Sequence, residues 1–122
     1  MNFILYKNIP TCKFRNEKYF MFKVLYLTGL HLEQYRHATV DPEDYFKELL
    51  RRDPGSSNGH MAMARRLMRK GLYEDALEHA QSAVKTLTSF NPNPPSGESF
   101  FLLGLSLEYQ CFSNITYHAV NM

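Results

Sequence analysis

Arg65, Arg66, Arg69 and Lys70 crowd into one short stretch of the chain, and the chemistry they offer is recognition. A guanidinium presents a planar fork of donors that fits a carboxylate through two parallel hydrogen bonds. Nearby Met61 and Met68 could hold an apolar side chain of the same partner. The competing reading is a solvated cationic helix face, which is what most charged helix surfaces are, and on the residues alone it is the stronger of the two. Catalytic constellations are missing. His31, His37, His60, His79 and His118 are scattered, and Cys12 and Cys111 stand at opposite ends with neither in a CxxC pair, so zinc-site spacing is absent. The chain has no GxGxxG, no GxxxxGK[ST] and no GxSxG. Glu43 and Asp44 are sufficiently explained as charges at a helix start. We therefore expect no enzyme, with no catalytic, cofactor-binding or metal-ligating residue assigned.

The elements that must position the arginines are helical. In Ser57 to Ala83, Met63, Ala64 and Leu67 form an apolar stripe while the cations occupy other positions around the same helix. Gly71 supplies a residue able to leave that helix through a left-handed conformation. Glu74 and Asp75 then suit the positive end of the next helix dipole, and Ala76, Ala80 and Ala83 present methyl groups that let two backbones approach closely.

Upstream, a helical pattern runs from Phe22 through Tyr26, Gly29, Leu30 and Leu32 to Tyr35. Asp41-Pro42 marks a new start, because Asp caps exposed amides and Pro is tolerated in a first turn. Tyr45, Phe46, Leu49 and Leu50 form the buried stripe of this helix, and Arg51-Arg52 before Asp53-Pro54-Gly55 ends it. Downstream, the helix from Tyr73 is expected to reach Leu87 or Phe90. Asn91 to Gly97 is too rich in breakers to be helix interior, and Glu98 to Gln110 reads as a further helix.

Gly29, Ala64 and Gly104 stand at intervals of 35 and 40 residues, a near-constant period in helical sequence. Ala64, Leu67, Gly71, Tyr73, Ala76 and Ala83 resemble the small, large, turn, aromatic and small positions of the 34-residue tetratricopeptide repeat. The resemblance implies an all-α chain: a tetratricopeptide-type array of helical hairpins, about two and a half repeats in a right-handed superhelix. The expected organisation is an irregular basic aromatic leader over 1–21, a repeat region over 22–110 with units at about 22–54, 57–92 and 97–110, and a divergent tail over 111–122 in which a short helix can form. It further implies a concave groove lined by the first helix of each unit, at Tyr26, Leu30 and Glu33, then Met61, Arg65, Met68 and Arg69, then Phe101, Leu105 and Tyr109.

The leading expectation is a noncatalytic scaffold that binds a protein, as a peptide or a helix, in that groove. One subclass of the family grips carboxyl-terminal tails with a Lys and Asn at fixed groove positions. Met61 and Arg65 stand there instead, so that partner is not expected. The phrases YLTGLHLEQYRHATVDPEDYFKELLRRDPG, SAVKTLTSFNPNP and GESFFLLGLSLEYQ are similar to the repeat region of bacterial multidomain proteins that also carry an uncharacterised β-rich domain. This gives an alternative, a truncated accessory region of a carbohydrate-related multidomain protein. A third is weak nucleic-acid binding by the leader, where Lys7, Lys13, Arg15 and Lys18 interleave with Phe3, Tyr6, Phe14, Tyr19 and Phe20. The plainer reading of that leader is an irregular segment lying on the first helix, so nucleic acid is not the expected partner.

Composition narrows the rest. At 122 residues and 44% hydrophobic the chain suits one small domain. No run approaches the roughly 20 apolar residues a spanning helix needs, and the opening MNFILYKNIP lacks the apolar region of a secretory signal. No membrane association is expected, and two unclustered thiols point to a reducing, cytoplasmic setting. The third repeat lacks the residues of a second helix, so self-association through its uncovered apolar face is also expected.

Overall fold

The computed structural model describes residues 15–36, 39–89 and 91–121, with the side chains of 15–17 outside the description. Among these residues the chain is all-α, with five helices: α1 (Arg15–Gln34), α2 (Pro42–Arg52), α3 (Ser57–Lys70), α4 (Tyr73–Thr88) and α5 (Glu98–Val120). Each helix packs on the next, and α1 with α3 and α3 with α5 also touch. Most of the expected leader, including Cys12, lies outside the described residues, but 15–21 are already helical. Phe90 also falls outside them, and α4 is followed to Thr88.

Local chemistry accounts for the boundaries. The Asp41 carboxylate accepts the Glu43 backbone N–H at 3.0 Å, with Pro42 in the first turn of α2 and Arg51 and Arg52 in its last. Ser56 caps α3 by accepting the Gly59 N–H at 3.3 Å. At the other end Gly71 has φ 81°, and the N–H groups of Gly71 and Leu72 donate to the carbonyls of Met68 and Leu67. This doubly bonded left-handed stop leaves α3 and turns directly into α4. The segment 91–97 is without regular structure, in keeping with its three prolines.

The core is built hairpin by hairpin. Met21 and Leu25 of α1 meet Tyr45 and Leu49 of α2. Phe46, fully buried, joins Ala62, Met63 and Leu67 of α3 and Ala76 of α4. Beyond them Met61, Ala83 and Leu102 tie α3 and α4 to α5. Close approach depends on small residues. A Cβ on Gly29 would stand 2.6 Å from the Phe46 ring, whereas one on Gly104 would meet nothing within 4 Å. Gly29 is covered by the second helix of its hairpin, and Gly104 has no helix over it.

A histidine pair crosses α3 and α4. His60 Nδ1 lies 2.9 Å from His79 Nδ1, and His60 Nε2 lies 2.8 Å from the Pro54 carbonyl. Since that carbonyl can only accept, His60 donates from Nε2 and accepts at Nδ1 from His79. Burial, then the neighbouring His60, hold His79 below the usual histidine range.

The last helix differs most from the sequence expectation. In place of a break near residue 110 and a divergent tail, α5 continues unbroken to Val120. Thr116 returns its hydroxyl to the Phe112 carbonyl at 3.0 Å, so the polar residues of this stretch are accommodated within the helix. Residues 111–121 are nevertheless exposed throughout, apolar side chains included.

Candidate binding groove

Arg65 and Arg69 stand one turn apart on α3, and each lines two adjoining concavities. A polar lobe of about 1030 Å³ opens towards α1 and the α1–α2 connection, where Leu30, Glu33, Arg36, Asp41 and Arg66 border it. An apolar lobe of about 420 Å³ opens towards α5, bordered by Met68, Tyr73, Phe101, Leu102, Leu105 and Tyr109. The Tyr73 and Tyr109 rings, both in its lining, stack at 5.2 Å with planes 8° apart.

Every cation of the stripe is engaged by this chain's own carboxylates. Arg69 Nη1 donates to Glu33 at 2.6 Å, and Arg66 Nη2 donates to Asp41 at 2.8 Å. Arg65 pairs with Glu98 and Lys70 with Glu43. The carboxylates come from α1, from the cap of α2, from α2 itself and from α5, so α3 is the cationic spine to which its neighbours attach. Arg65 engages Glu98 through Nη1 and keeps Nη2 buried without a hydrogen-bond partner.

Glu43 is the most tightly held of these groups. Burial pushes its carboxyl up, but hydrogen bonds from Lys47 and Lys70 outweigh that and hold it at about 2. Lys47 is pushed up by the same contact, at 2.8 Å. On the other side of α2, Arg51 holds Glu48 at about 2, against burial and with help from Arg52.

Of the ten residues expected in the groove, Leu30 and Glu33 lie in the polar lobe, Met68, Phe101, Leu105 and Tyr109 in the apolar lobe, and Arg65 and Arg69 in both. Two fall elsewhere. Tyr26 is half-buried against Phe46, ring centroids 6.4 Å apart, and lines neither lobe. Met61 is a core residue, 6% exposed and packed against Ala83 and Leu102. Its position on α3 faces the α4–α5 side, away from the groove in which the repeat resemblance had placed it.

Sequence reasoning missed Tyr73, read there only as the aromatic after the turn, and it missed Asp41, Glu43 and Glu98 as ion-pair partners. Their pairs with α3 span 25 to 33 residues, beyond any local pattern. The one available signal was a surplus of cations on α3 facing acidic starts on the flanking helices.

Among the described residues no group of His, Cys, Asp and Glu could hold a metal ion, and no helix is long and apolar enough to cross a membrane. No protein-family model matches the chain. No solved structure matches it closely enough to inform the fold.

Proposed function

We propose that this chain is a noncatalytic interaction module of tetratricopeptide type, holding a peptide or a partner helix in the groove formed by α1, α3 and α5. Supporting the repeat reading are the three helix starts at similar intervals, the left-handed turn at Gly71, the buried methyl row Ala76, Ala80 and Ala83, and the contacts between alternate helices. The observation that carries the binding reading is the junction of the two lobes. Arg65 and Arg69 lie between an apolar wall and a polar basin, each already holding a carboxylate of a flanking helix.

That arrangement suits a short acidic segment with one aromatic or aliphatic anchor. The anchor would sit against Phe101, Leu105 and Tyr109. A ligand carboxylate would compete with Glu98 or Glu33 for the guanidiniums, so binding would exchange one ion pair for another and gain chiefly from apolar burial. Selection from a random peptide library on the immobilised chain tests this. The expected result is a consensus with an acidic residue close to a large apolar one, at least tenfold weaker on Phe101→Ala, and weakened further by salt. Phe101 is 66% exposed, so its truncation should leave the fold standing. Selected peptides that bind Phe101→Ala unchanged would place the site elsewhere.

A further inference from the structure

The last helix has large apolar side chains on every side and covers only one side. Ser99, Leu102 and Ser106 are buried, whereas Phe101, Phe112 and Ile115 are 66%, 58% and 63% exposed. A helix that is apolar all round belongs in an interior. Between Tyr109 and Met122 the sequence has no Asp, Glu, Lys or Arg, and His118 is the one titratable histidine of the arm, so little here addresses a partner of opposite charge.

Along α5, residues 101, 105, 108, 112, 115 and 119 alternate spacings of four and three, the period of a seam between paired helices. Reversing the direction of the chain reproduces the same spacing, which is the condition for a helix to pack antiparallel on a copy of itself. We infer that the seam is occupied by α5 of a second copy, antiparallel about a two-fold axis at Gln110. This register sets Phe101 against Ala119, Leu105 against Ile115, and the methylenes of Glu108 against Phe112. Phe101 thereby faces a small side chain, Leu105 an aliphatic one, and the single carboxylate on the seam does not face its own copy.

The exposed area fits such a pairing. Phe101, Phe112 and Ile115 are each more than half exposed on both copies, so the pairing would be a small one, near the threshold of about 1,000 Å² for a specific interface. A reversible dimer that fills between roughly 1 and 100 µM is the expected state. The partner's arm would enter the apolar lobe beside Phe101 and Leu105, so the inference rests on that lobe being a binding surface. Phe112 and Ile115 lie outside it, which lets the two readings fail separately.

Sedimentation velocity and light scattering on the full chain with Cys12→Ser, over that concentration range, provide the test. Cys111 is an exposed thiol one residue from the proposed axis, so a short bis-maleimide should join two copies through it. Phe112→Asp with Ile115→Asp should leave circular dichroism intact and abolish both dimer and cross-link. Should that pair of changes cost helix, Ala119→Glu decides, because it places a good helix former at an exposed site opposite Phe101.

A monomer at the highest concentration, or dimers that persist in these variants, would overturn the inference. If selected peptides still bind in that case, the groove reading survives it. A dimer lost on Phe112→Asp with Ile115→Asp, together with a chain that binds no library peptide, would leave the dimer standing and the peptide reading fallen.

Discussion

Gly29 and Gly104 occupy equivalent places in the repeat reading, yet the same substitution should act on them with opposite sign. Gly29→Ala gains about 1 kcal/mol of helix propensity but drives a methyl into Phe46, an overpacking cost of about 1–3 kcal/mol, so a net loss in thermal stability is expected. Gly104→Ala meets nothing and should gain about 0.5–1 kcal/mol. Paired thermal melts would check both, and a stabilised Gly29→Ala would mean that Phe46 does not approach the helix as closely as described. Glu43 gives a second prediction. Its carboxyl is depressed in the folded chain, so the stability it contributes is complete above the ordinary value of 4.5 and is lost as pH falls through about 2. Glu43→Gln should therefore cost about 2 kcal/mol near neutrality and have little effect at the acid end, as urea titrations at several pH values would show. At this scale the sequence was readable wherever a residue acts on its own neighbours. Asp41 as a cap, Pro42 after it and Gly71 at the turn needed no knowledge of the rest of the chain. The ion pair of Glu98 and the buried place of Met61 were not readable, because Arg65, and Ala83 with Leu102, are more than twenty residues away and these roles are set by which way each helix is rotated.

At the scale of elements, the α3–α4 hairpin is the most closely specified part of the molecule. Ala76, Ala80 and Ala83 are fully buried in a row, leaving no room to grow. Ala80→Leu should cost at least about 1–3 kcal/mol by overpacking, measured as a lowered urea midpoint with the slope unchanged. Gly71→Ala should cost about 1–2 kcal/mol for backbone conformation alone, since nothing lies within 4 Å of the added methyl. These helices were legible because alanine rows and left-handed stops are local signatures. Residues 111–120 were not, because Ser113, Asn114 and Thr116 are weak helix formers and no flanking cap or turn marks the stretch as helix. Helix persists there as an extension of the well-started segment from Glu98, with one hydroxyl satisfied by back-bonding and no tertiary cover.

Taken whole, the molecule is a row of helices stapled at α3 by charge and at its interior by small side chains. Arg65–Glu98 and Arg69–Glu33 cross the groove floor, so raising salt from about 0.05 to 1 M should loosen the polar lobe before the core, giving faster amide exchange at the α1–α2 connection than in α4. The order of helices was readable from the sequence as a whole, but the carboxylates that fasten them were not, since charge pairing depends on which helices become neighbours. The contact between His60 and His79 also makes the α3–α4 hairpin sensitive to acid. His60 donates to the Pro54 carbonyl and accepts from His79, so the buried His79 ring crosses the hairpin as a donor. Because burial holds His79 low, the stability it contributes is complete above the ordinary histidine range and is lost as pH falls below it, and the hairpin should loosen as acid forces a proton onto that ring.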